Sequence, residues 1–207
     1  MIYGVVLVLA LAGSQNFGLE TGAESTYVVH RGHEGDYTVV KTVGEPTFVR
    51  SVPVYEIICK YGTVTTYEHV GLTAAGVFEY YAQHMDGSGI NTSLPPNPDL
   101  RTNMAVGAKW SWVEPFVGQT LSDANGKAPD MKDLETACVA TLVSKSEKVT
   151  TPAGTFKTIH VHTVRHSKGL GDSVEDRYYS PAVGLVKMSH QSKEWSSVQE
   201  LTRHKGA

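Results

Sequence analysis

Two short segments near the end of the chain constrain its fold more than any other feature. Residues 151–157 and 177–187 each place a proline and a glycine between residues that favour β-structure. Proline fixes φ and glycine permits a positive φ, so each segment predicts a tight turn between two antiparallel strands. We expect Gly154 and Gly184 to occupy these turns, and we interpret both glycines as structural rather than catalytic.

Alternation of β-branched or aromatic residues with polar ones recurs along the rest of the chain, for example in residues 37–43 and 64–70. Twenty glycines and nine prolines provide turns between such runs. No stretch shows a sustained helical period. The pattern therefore predicts an all-β fold, an antiparallel meander of about ten strands that forms a curved, half-open barrel or two packed sheets.

The predicted strands form a single β domain over residues 20–207, in two halves. The halves cover residues 20–85 and 105–203, and we expect the proline- and glycine-rich residues 86–104 to form a loop between them. The stretch that begins at Gly22 aligns with the stretch that begins at Gly107. This weak repeat indicates a duplicated half-domain.

The same segments carry a family resemblance. PAGTFK at residues 152–157 is followed by YYSPAVGLVK at residues 178–187, and GAKWSW at residues 107–112 precedes both. These motifs resemble an uncharacterised family of exported bacterial β-proteins, a domain of unknown function, over nearly the whole chain. The resemblance implies a half-barrel similar to that of lipoprotein carriers. The family has no established activity, so the resemblance implies a fold and not a reaction.

Residues 1–13 are uncharged and almost entirely apolar. They are shorter than the roughly 20 residues that span a bilayer, and they resemble the apolar region of a secretory signal. Ala10 and Ala12 fit the small residues of a cleavage site. We therefore predict a signal peptide over residues 1–13 and an extracytoplasmic protein, either periplasmic or secreted. A buried N-terminal strand is the alternative.

The overall charge and the cysteines narrow the function classes. The net charge is -3 and no basic stripe is present, so we predict no nucleic-acid partner. Cys59 and Cys138 lie in strand-like runs. They fit either a disulfide of an exported protein or two free buried thiols.

His160 and His162 are the sharpest metal-like feature of the sequence. On a strand they share one face, and their spacing after Gly154 mimics half of the cupin metal motif. The acidic ligand that the cupin motif requires is missing, because His166 and Ser167 stand in its place. We therefore interpret the two histidines as surface residues, and we predict no metal ligand and no cofactor.

The sequence also lacks the patterns of common hydrolases. No nucleophile elbow occurs in a strand-to-helix context. Glu175 and Asp176 are adjacent on a predicted strand and point to opposite faces, so they do not form a glycosidase pair. We therefore predict no catalytic residue and a protein that is not an enzyme.

Trp110 and Trp112 share one face of a predicted strand, and we expect Trp195 and Phe156 to join them in a hydrophobic core. The alternative is an aromatic lining for an apolar ligand.

Three function classes then fit the chain. The leading one is a non-catalytic extracytoplasmic protein that binds an apolar small molecule or an envelope protein. The others are a cupin-like metal-binding protein or enzyme that uses His160 and His162, and a purely structural envelope scaffold.

Overall fold

A computed structural model describes residues 15–32, 35–49, 52–84, 90–114, 136–167 and 171–207 of the protein. The predicted signal peptide at residues 1–13 lies outside these ranges. Within them, no helix is long and apolar enough to cross a membrane. The twelve strands of the described residues are β1 (Glu24–Arg31), β2 (Gly35–Val49), β3 (Val52–Tyr61), β4 (Val64–Thr73), β5 (Gly76–His84), β6 (Ile90–Arg101), β7 (Lys109–Glu114), β8 (Thr136–Thr151), β9 (Gly154–Ser167), β10 (Gly171–Ser180), β11 (Gly184–Ser192) and β12 (Ser196–Lys205).

All twelve strands belong to one antiparallel sheet in the order β6-β5-β4-β3-β2-β1-β12-β11-β10-β9-β8-β7. Strands β1 to β6 form one meander and β7 to β12 a second, and the two join where β1 pairs with β12. The sheet curls into a nearly closed barrel. The predicted all-β meander is therefore confirmed, and of the two predicted architectures the sheet adopts the barrel.

The prediction of a loop over residues 86–104 is wrong for residues 90–101, which form β6 and pair with β5. Prolines lack the N–H that a central strand donates to its ladder, so their presence in this segment favours a loop. Strand β6 is an edge strand with hydrogen bonds to one neighbour only, and an edge tolerates prolines that point their missing N–H away from that neighbour. Two register shifts along the β5–β6 ladder accommodate them further.

The free edges of β6 and β7 meet through side chains instead of a ladder. The indole Nε1 of Trp110 donates a hydrogen bond to the carbonyl oxygen of Pro98 at 2.8 Å. Lys145 on β8 donates from Nζ to the carbonyl oxygen of Thr102 at 3.1 Å. These contacts draw the two edges together and shield the interior of the barrel at the seam.

The two meanders begin in the same way. Gly22 and Gly107 both have a φ of 86°, and each lies two residues before the first strand of its meander. This conformation is accessible to glycine and unfavourable for other residues. The shared geometry supports the alignment of Gly22 with Gly107, and the duplication itself remains a prediction.

The turn assignment of Gly154 and Gly184 is confirmed, because their φ angles are 132° and 80°. At Gly184 the backbone also approaches the segment before β1. A Cβ atom there would lie 2.4 Å from the carbonyl oxygen of Phe17. Phe17 donates its backbone N–H to the carbonyl oxygen of Pro181 at 3.0 Å, and its ring is buried inside the barrel.

The largest hydrophobic cluster fills the interior beside β7, β8 and β9. Trp110, Leu142 and Val161 are at its centre, and Trp112 packs against it. Contrary to the prediction, Trp195 does not join this core. It lies in the β11–β12 turn, 47% exposed, and stacks on His190, because a turn residue is outside the alternation that directs strand side chains inward. Phe156 packs against a different cluster.

Of the two alternatives for the cysteines, a disulfide or free thiols, the structure has free thiols. Cys59 and Cys138 are both buried and unbridged. Cys59 lies on β3 and Cys138 on β8, so they belong to different meanders. Burial raises the pKa of each thiol to about 12. Both cysteines therefore act as small core residues in the neutral form.

Candidate ligand-binding cavity

Charged side chains occupy inward positions on several strands, where the alternation would otherwise place apolar ones. On β2, Lys41 lies between the buried Val39 and Val43 in the inward register. Because charges are rarely buried without partners, inward charges of this kind require compensation inside the barrel. The charged residues that make up this interior network are Lys41, Glu68, Glu79, Asp99, Glu114, Arg165, Glu175 and Arg177.

Lys41 and Glu68 form one isolated pair within the network. The Nζ atom of Lys41 lies 3.1 Å and 3.0 Å from the two carboxylate oxygens of Glu68. Burial by itself would raise the pKa of Glu68, but Lys41 outweighs burial and lowers that pKa. Burial likewise opposes the charge of Lys41, and Glu68 reverses the effect and raises the pKa of the amine. Each residue therefore keeps the other ionised.

Arg177 forms ion pairs with two further carboxylates of the network, Asp99 and Glu175. Its guanidinium lies 2.7 Å from Asp99 and 2.5 Å from Glu175. Arg165 forms a second link, because it lies 3.6 Å from Glu175 and also pairs with Glu114. Burial would raise the pKa of Glu175, but Arg177 and Arg165 together hold that pKa below its ordinary value.

Glu79 is the carboxylate that the network does not neutralise. No Lys, Arg or His among the described residues lies within ion-pair distance of it. Burial, with the nearby carboxylates of Asp99 and Glu68, raises the pKa of Glu79 to about 8. Burial also raises the pKa of Asp99, although Arg177 opposes this shift. Near neutral pH, Glu79 therefore holds a proton that an ordinary glutamate would have lost.

A cavity of about 450 Å³ lies against this network. It is bounded by strands β1 to β6 and β10 to β12 and by the segment before β1. Its lining extends from the exposed Arg31 at the β1–β2 end to the buried Val77 and the Phe17 ring. Arg31 lies over the rings of Tyr37 and Trp195 at 5.3 Å and 5.5 Å. The cavity therefore reaches the surface at the β1–β2 end.

Two buried amide side chains on this side of the interior have atoms without hydrogen-bond partners among the described residues. Gln199 lines the cavity, is 7% exposed, and leaves Nε2 unpaired. Asn97 is 8% exposed, leaves Oδ1 unpaired, and lies directly opposite Glu79 across the β5–β6 ladder. Such atoms are uncommon in folded proteins. Gln199 is at the cavity itself, and Asn97 lies beside the lining residue Glu79.

The model of the DUF3108-like family matches residues 52–201, more than half of the 207-residue chain. The chain belongs to the DUF3108-like family. This membership confirms the resemblance inferred from PAGTFK and YYSPAVGLVK, both of which lie in the matched region, and the family is one of unknown function. No curated protein matches the chain.

Two solved structures are similar to this DUF3108-like protein. One is a candidate exported protein with a YmcC-like fold from Bacteroides fragilis, 17% identical, with a TM-score of 0.42, covering 90% of this chain and 96% of that chain. The other is a candidate lipoprotein from Parabacteroides distasonis, 16% identical, with a TM-score of 0.42, covering 91% of this chain and 97% of that chain.

The histidines singled out from the sequence lie on the opposite face of the DUF3108-like sheet from the network. His160 contacts Glu147 through Nδ1 at 2.9 Å and Asp176 through Nε2 at 2.7 Å. His162 contacts the same oxygen of Asp176 through Nδ1 at 3.0 Å. The ring of His160 also stacks on Tyr178, with centroids 4.3 Å apart. Both ring nitrogens of His160 are therefore engaged within the protein.

Within the described ranges, no three His, Cys, Asp or Glu side chains are grouped to hold a metal ion. Burial would raise the pKa of Asp176, but hydrogen bonds from His160 and His162 lower it. The carboxylate is thus held ionised by its two histidine partners. The arrangement is a hydrogen-bonded patch across β9 and β10 on the outside of the barrel.

The prediction that Glu175 and Asp176 point to opposite faces is confirmed. Glu175 pairs with two arginines inside the barrel, and Asp176 contacts histidines outside it. Sequence analysis did not identify the interior network of this DUF3108-like protein. The available signal was a charged residue at a position whose neighbours two residues away are apolar, as with Lys41 between Val39 and Val43.

Proposed function

We propose that this DUF3108-like protein is a non-catalytic extracytoplasmic protein that binds an apolar or amphiphilic small molecule inside its barrel. The cavity of about 450 Å³ between the two meanders is the observation that carries the proposal. Pockets that bind small molecules commonly measure roughly 300–1,000 Å³ and combine apolar walls with a few polar groups.

The lining of the cavity has this mixed character. Val39, Val43 and Ile57 contribute apolar wall from β2 and β3, and Tyr27 adds a large ring from β1. Glu79 and Asp99 add polar groups to the wall from β5 and β6, beside the Lys41–Glu68 pair and Arg177. An amphiphile would place its tail against the apolar wall and its polar group at the network. A purely apolar ligand would leave the polar groups without partners, so the lining favours an amphiphile.

The chemistry of the lining supports binding without catalysis. Cys59 is the thiol of the cavity, and burial raises its pKa to about 12, so it stays protonated and is a poor nucleophile. Lys41 is held in its charged form by Glu68, which removes the amine as a nucleophile or base. Asp99 is engaged by Arg177.

An extracytoplasmic location is supported by the sequence of residues 1–13, which has the apolar character and small residues of a secretory signal. The resemblance to exported β-proteins points the same way. N-terminal sequencing of the protein purified from its native host tests this part of the proposal. We expect a start near Gly13, and an intact Met1 on cytoplasmic protein would contradict it.

Native mass spectrometry of untagged protein, followed by solvent extraction, tests the binding function. We expect bound small molecules in the wild-type protein, and displacement of an environment-sensitive apolar dye by an alkyl alcohol. Val39→Phe places a larger ring in the cavity and should abolish dye binding. Val40→Phe, on the opposite face of the same strand, is the matched control and should bind normally.

The two variants separate the proposal from the scaffold alternative. If wild-type protein binds neither the dye nor any extractable molecule, the cavity is not a binding site and the structural scaffold becomes the better hypothesis. Equal loss of binding in Val39→Phe and Val40→Phe would also count against the cavity, because the loss would then follow from a disturbed fold.

A further inference from the structure

We infer that Glu79, Asn97 and Asp99 bind the ammonium group of an amphiphilic ligand whose apolar tail fills the cavity. The inference rests on the proposed binding function and specifies the chemical class of the ligand. It is carried by three inward acceptors on two adjacent strands. Glu79 on β5 and Asn97 on β6 are direct partners across the ladder, and Asp99 lies two residues further along the same face.

The three side chains offer what an ammonium group requires. An alkylammonium has three N–H donors and no acceptor. Asn97 presents an Oδ1 atom that is buried and has no donor among the described residues. Glu79 has no ion pair in the same ranges, and Asp99 uses one oxygen to contact Arg177. Glu79 and Asp99 therefore line the cavity, and the unpaired Oδ1 of Asn97 lies on the strand directly opposite Glu79.

The charge of the interior points to the same ligand class. The network as defined above has five carboxylates and three cations, so it is short of positive charge. Lys41, Arg165 and Arg177 are already committed to Glu68, Glu114 and the Asp99–Glu175 pair. The raised pKa of Glu79 is the consequence of this deficit. A ligand cation beside Glu79 would remove the deficit, whereas a ligand carboxylate would increase it.

The apolar surroundings define the rest of the ligand. Val77 lies two residues before Glu79 on β5 and lines the cavity, as does Val70 on β4. Beyond them the lining continues through Ile57 and Val43 toward β2. A tail attached to an ammonium group at Glu79 would therefore lie against aliphatic side chains.

The test compares three probes with the same alkyl chain: decylamine, decan-1-ol and decanoic acid. Each is titrated against dye-loaded protein at neutral pH, where the amine is an ammonium and the acid a carboxylate. We expect wild-type protein to bind decylamine at least tenfold more tightly than decan-1-ol, and decanoic acid least tightly. This preference corresponds to about 1.4 kcal/mol or more.

Glu79→Gln is the decisive variant, because it keeps the shape of the side chain and, unlike Glu79, cannot release a proton to become a carboxylate beside a bound ammonium. It should lose the preference for decylamine while binding decan-1-ol as the wild type does. Glu56→Gln, on the opposite face of β3 near His69, is the matched control and should keep the preference. Thermal unfolding of each variant shows whether it is folded.

The outcomes separate this inference from the proposed function. If decan-1-ol binds but decylamine binds no more tightly, the binding function stands and the ammonium site is overturned. A preference for decanoic acid would likewise overturn it. If none of the three probes binds, the proposed function itself fails. A preference for decylamine that survives in Glu79→Gln would show that the cation binds elsewhere.

Discussion

The two sides of the barrel interior use the same strand pattern and differ in how they are filled. We call the region beside β7, β8 and β9 the filled side and the region beside β2 to β5 the hollow side. On the filled side, Trp110 and Leu142 occupy the space, and the nearby carboxylates pair with arginines. On the hollow side a cavity remains, and Glu79 has no ion-pair partner within the part of the chain that the structure describes.

The difference shows how one sheet can provide both stability and a binding site. Large side chains on the filled side bury apolar surface and close the seam between β6 and β7. Smaller inward residues such as Val39 and Thr66 leave space on the hollow side. The carboxylates follow the same division, because Glu114 and Glu175 have arginine partners on the filled side, whereas Glu79 has no ion pair among the described residues.

The largest effect should come from Arg177, which pairs with residues from both sides. Arg177→Met would leave the buried Asp99 without a guanidinium and Glu175 with only the more distant Arg165, and we expect a loss of about 3–5 kcal/mol in the free energy of unfolding. Urea denaturation measures it. Arg203→Met, at an exposed position of β12, should change stability by no more than about 0.5 kcal/mol. Equal effects of the two substitutions would contradict the buried network.

A matched pair of valines measures the difference in packing directly. Val161 is 1% exposed in the core of the filled side, and Val39 is 7% exposed and lines the cavity. Val161→Ala should create a new void and lower the free energy of unfolding by about 2–3 kcal/mol. Val39→Ala should cost about 1 kcal/mol less, since the space beside it already exists. Equal losses in urea denaturation would mean that the hollow side is as well packed as the filled side.

Gly184 packs against Phe17, which belongs to the core and also lines the cavity. A substitution at Gly184 should therefore affect both sides. Gly184→Val would combine an unfavourable φ of 80° with a Cβ atom 2.4 Å from the Phe17 carbonyl oxygen. We expect a loss of about 1–3 kcal/mol, and weaker dye binding if Phe17 is displaced. Gly154→Val should lie at the lower end, because nothing crowds a Cβ there more closely than the Phe156 ring at 4.0 Å. Unchanged melting temperatures for both variants would refute the turn assignment.

The last effect, which is small over any one pH unit, is the pH dependence that Glu79 contributes. Its pKa rises from 4.5 to about 8 on folding, so the folded state binds the proton more tightly. The resulting stabilisation is fully present below about pH 4.5 and is lost as pH rises through about 8. Glu79→Gln should therefore match the wild type near pH 4 and be more stable by about 1–2 kcal/mol near pH 5.5, with a further gain up to about pH 8.

Melting temperatures of both proteins across this pH range measure the effect. A gain of that size corresponds to roughly 2–8 °C for a domain of this length. Glu56→Gln serves as the control, and its difference from the wild type should not grow with pH. If the difference in melting temperature between Glu79→Gln and the wild type does not grow between pH 4 and pH 8, the pKa of Glu79 is not raised. A cation must then lie close to Glu79, and the hollow side is not short of positive charge.

Sequence reasoning recovered the strands and turns because these depend on neighbouring residues. Alternation predicted a meander of about ten strands, without β6, and the proline–glycine segments located the turns at Gly154 and Gly184. The missing strand, β6, contains prolines that are acceptable only at a sheet edge. Its position at an edge is a property of the whole sheet and not of residues 90–101 themselves.

The sequence by itself determined the all-β class, the order of the turns and the family, because backbone preferences and motifs are local. The tertiary structure decided which inward charges meet. Glu79, Asp99 and Arg177 come from β5, β6 and β10, and only the curling of the sheet brings them to one interior. Ion pairing, the cavity and the raised pKa of Glu79 all depend on distances between strands far apart in the chain, and local residue patterns do not specify those distances.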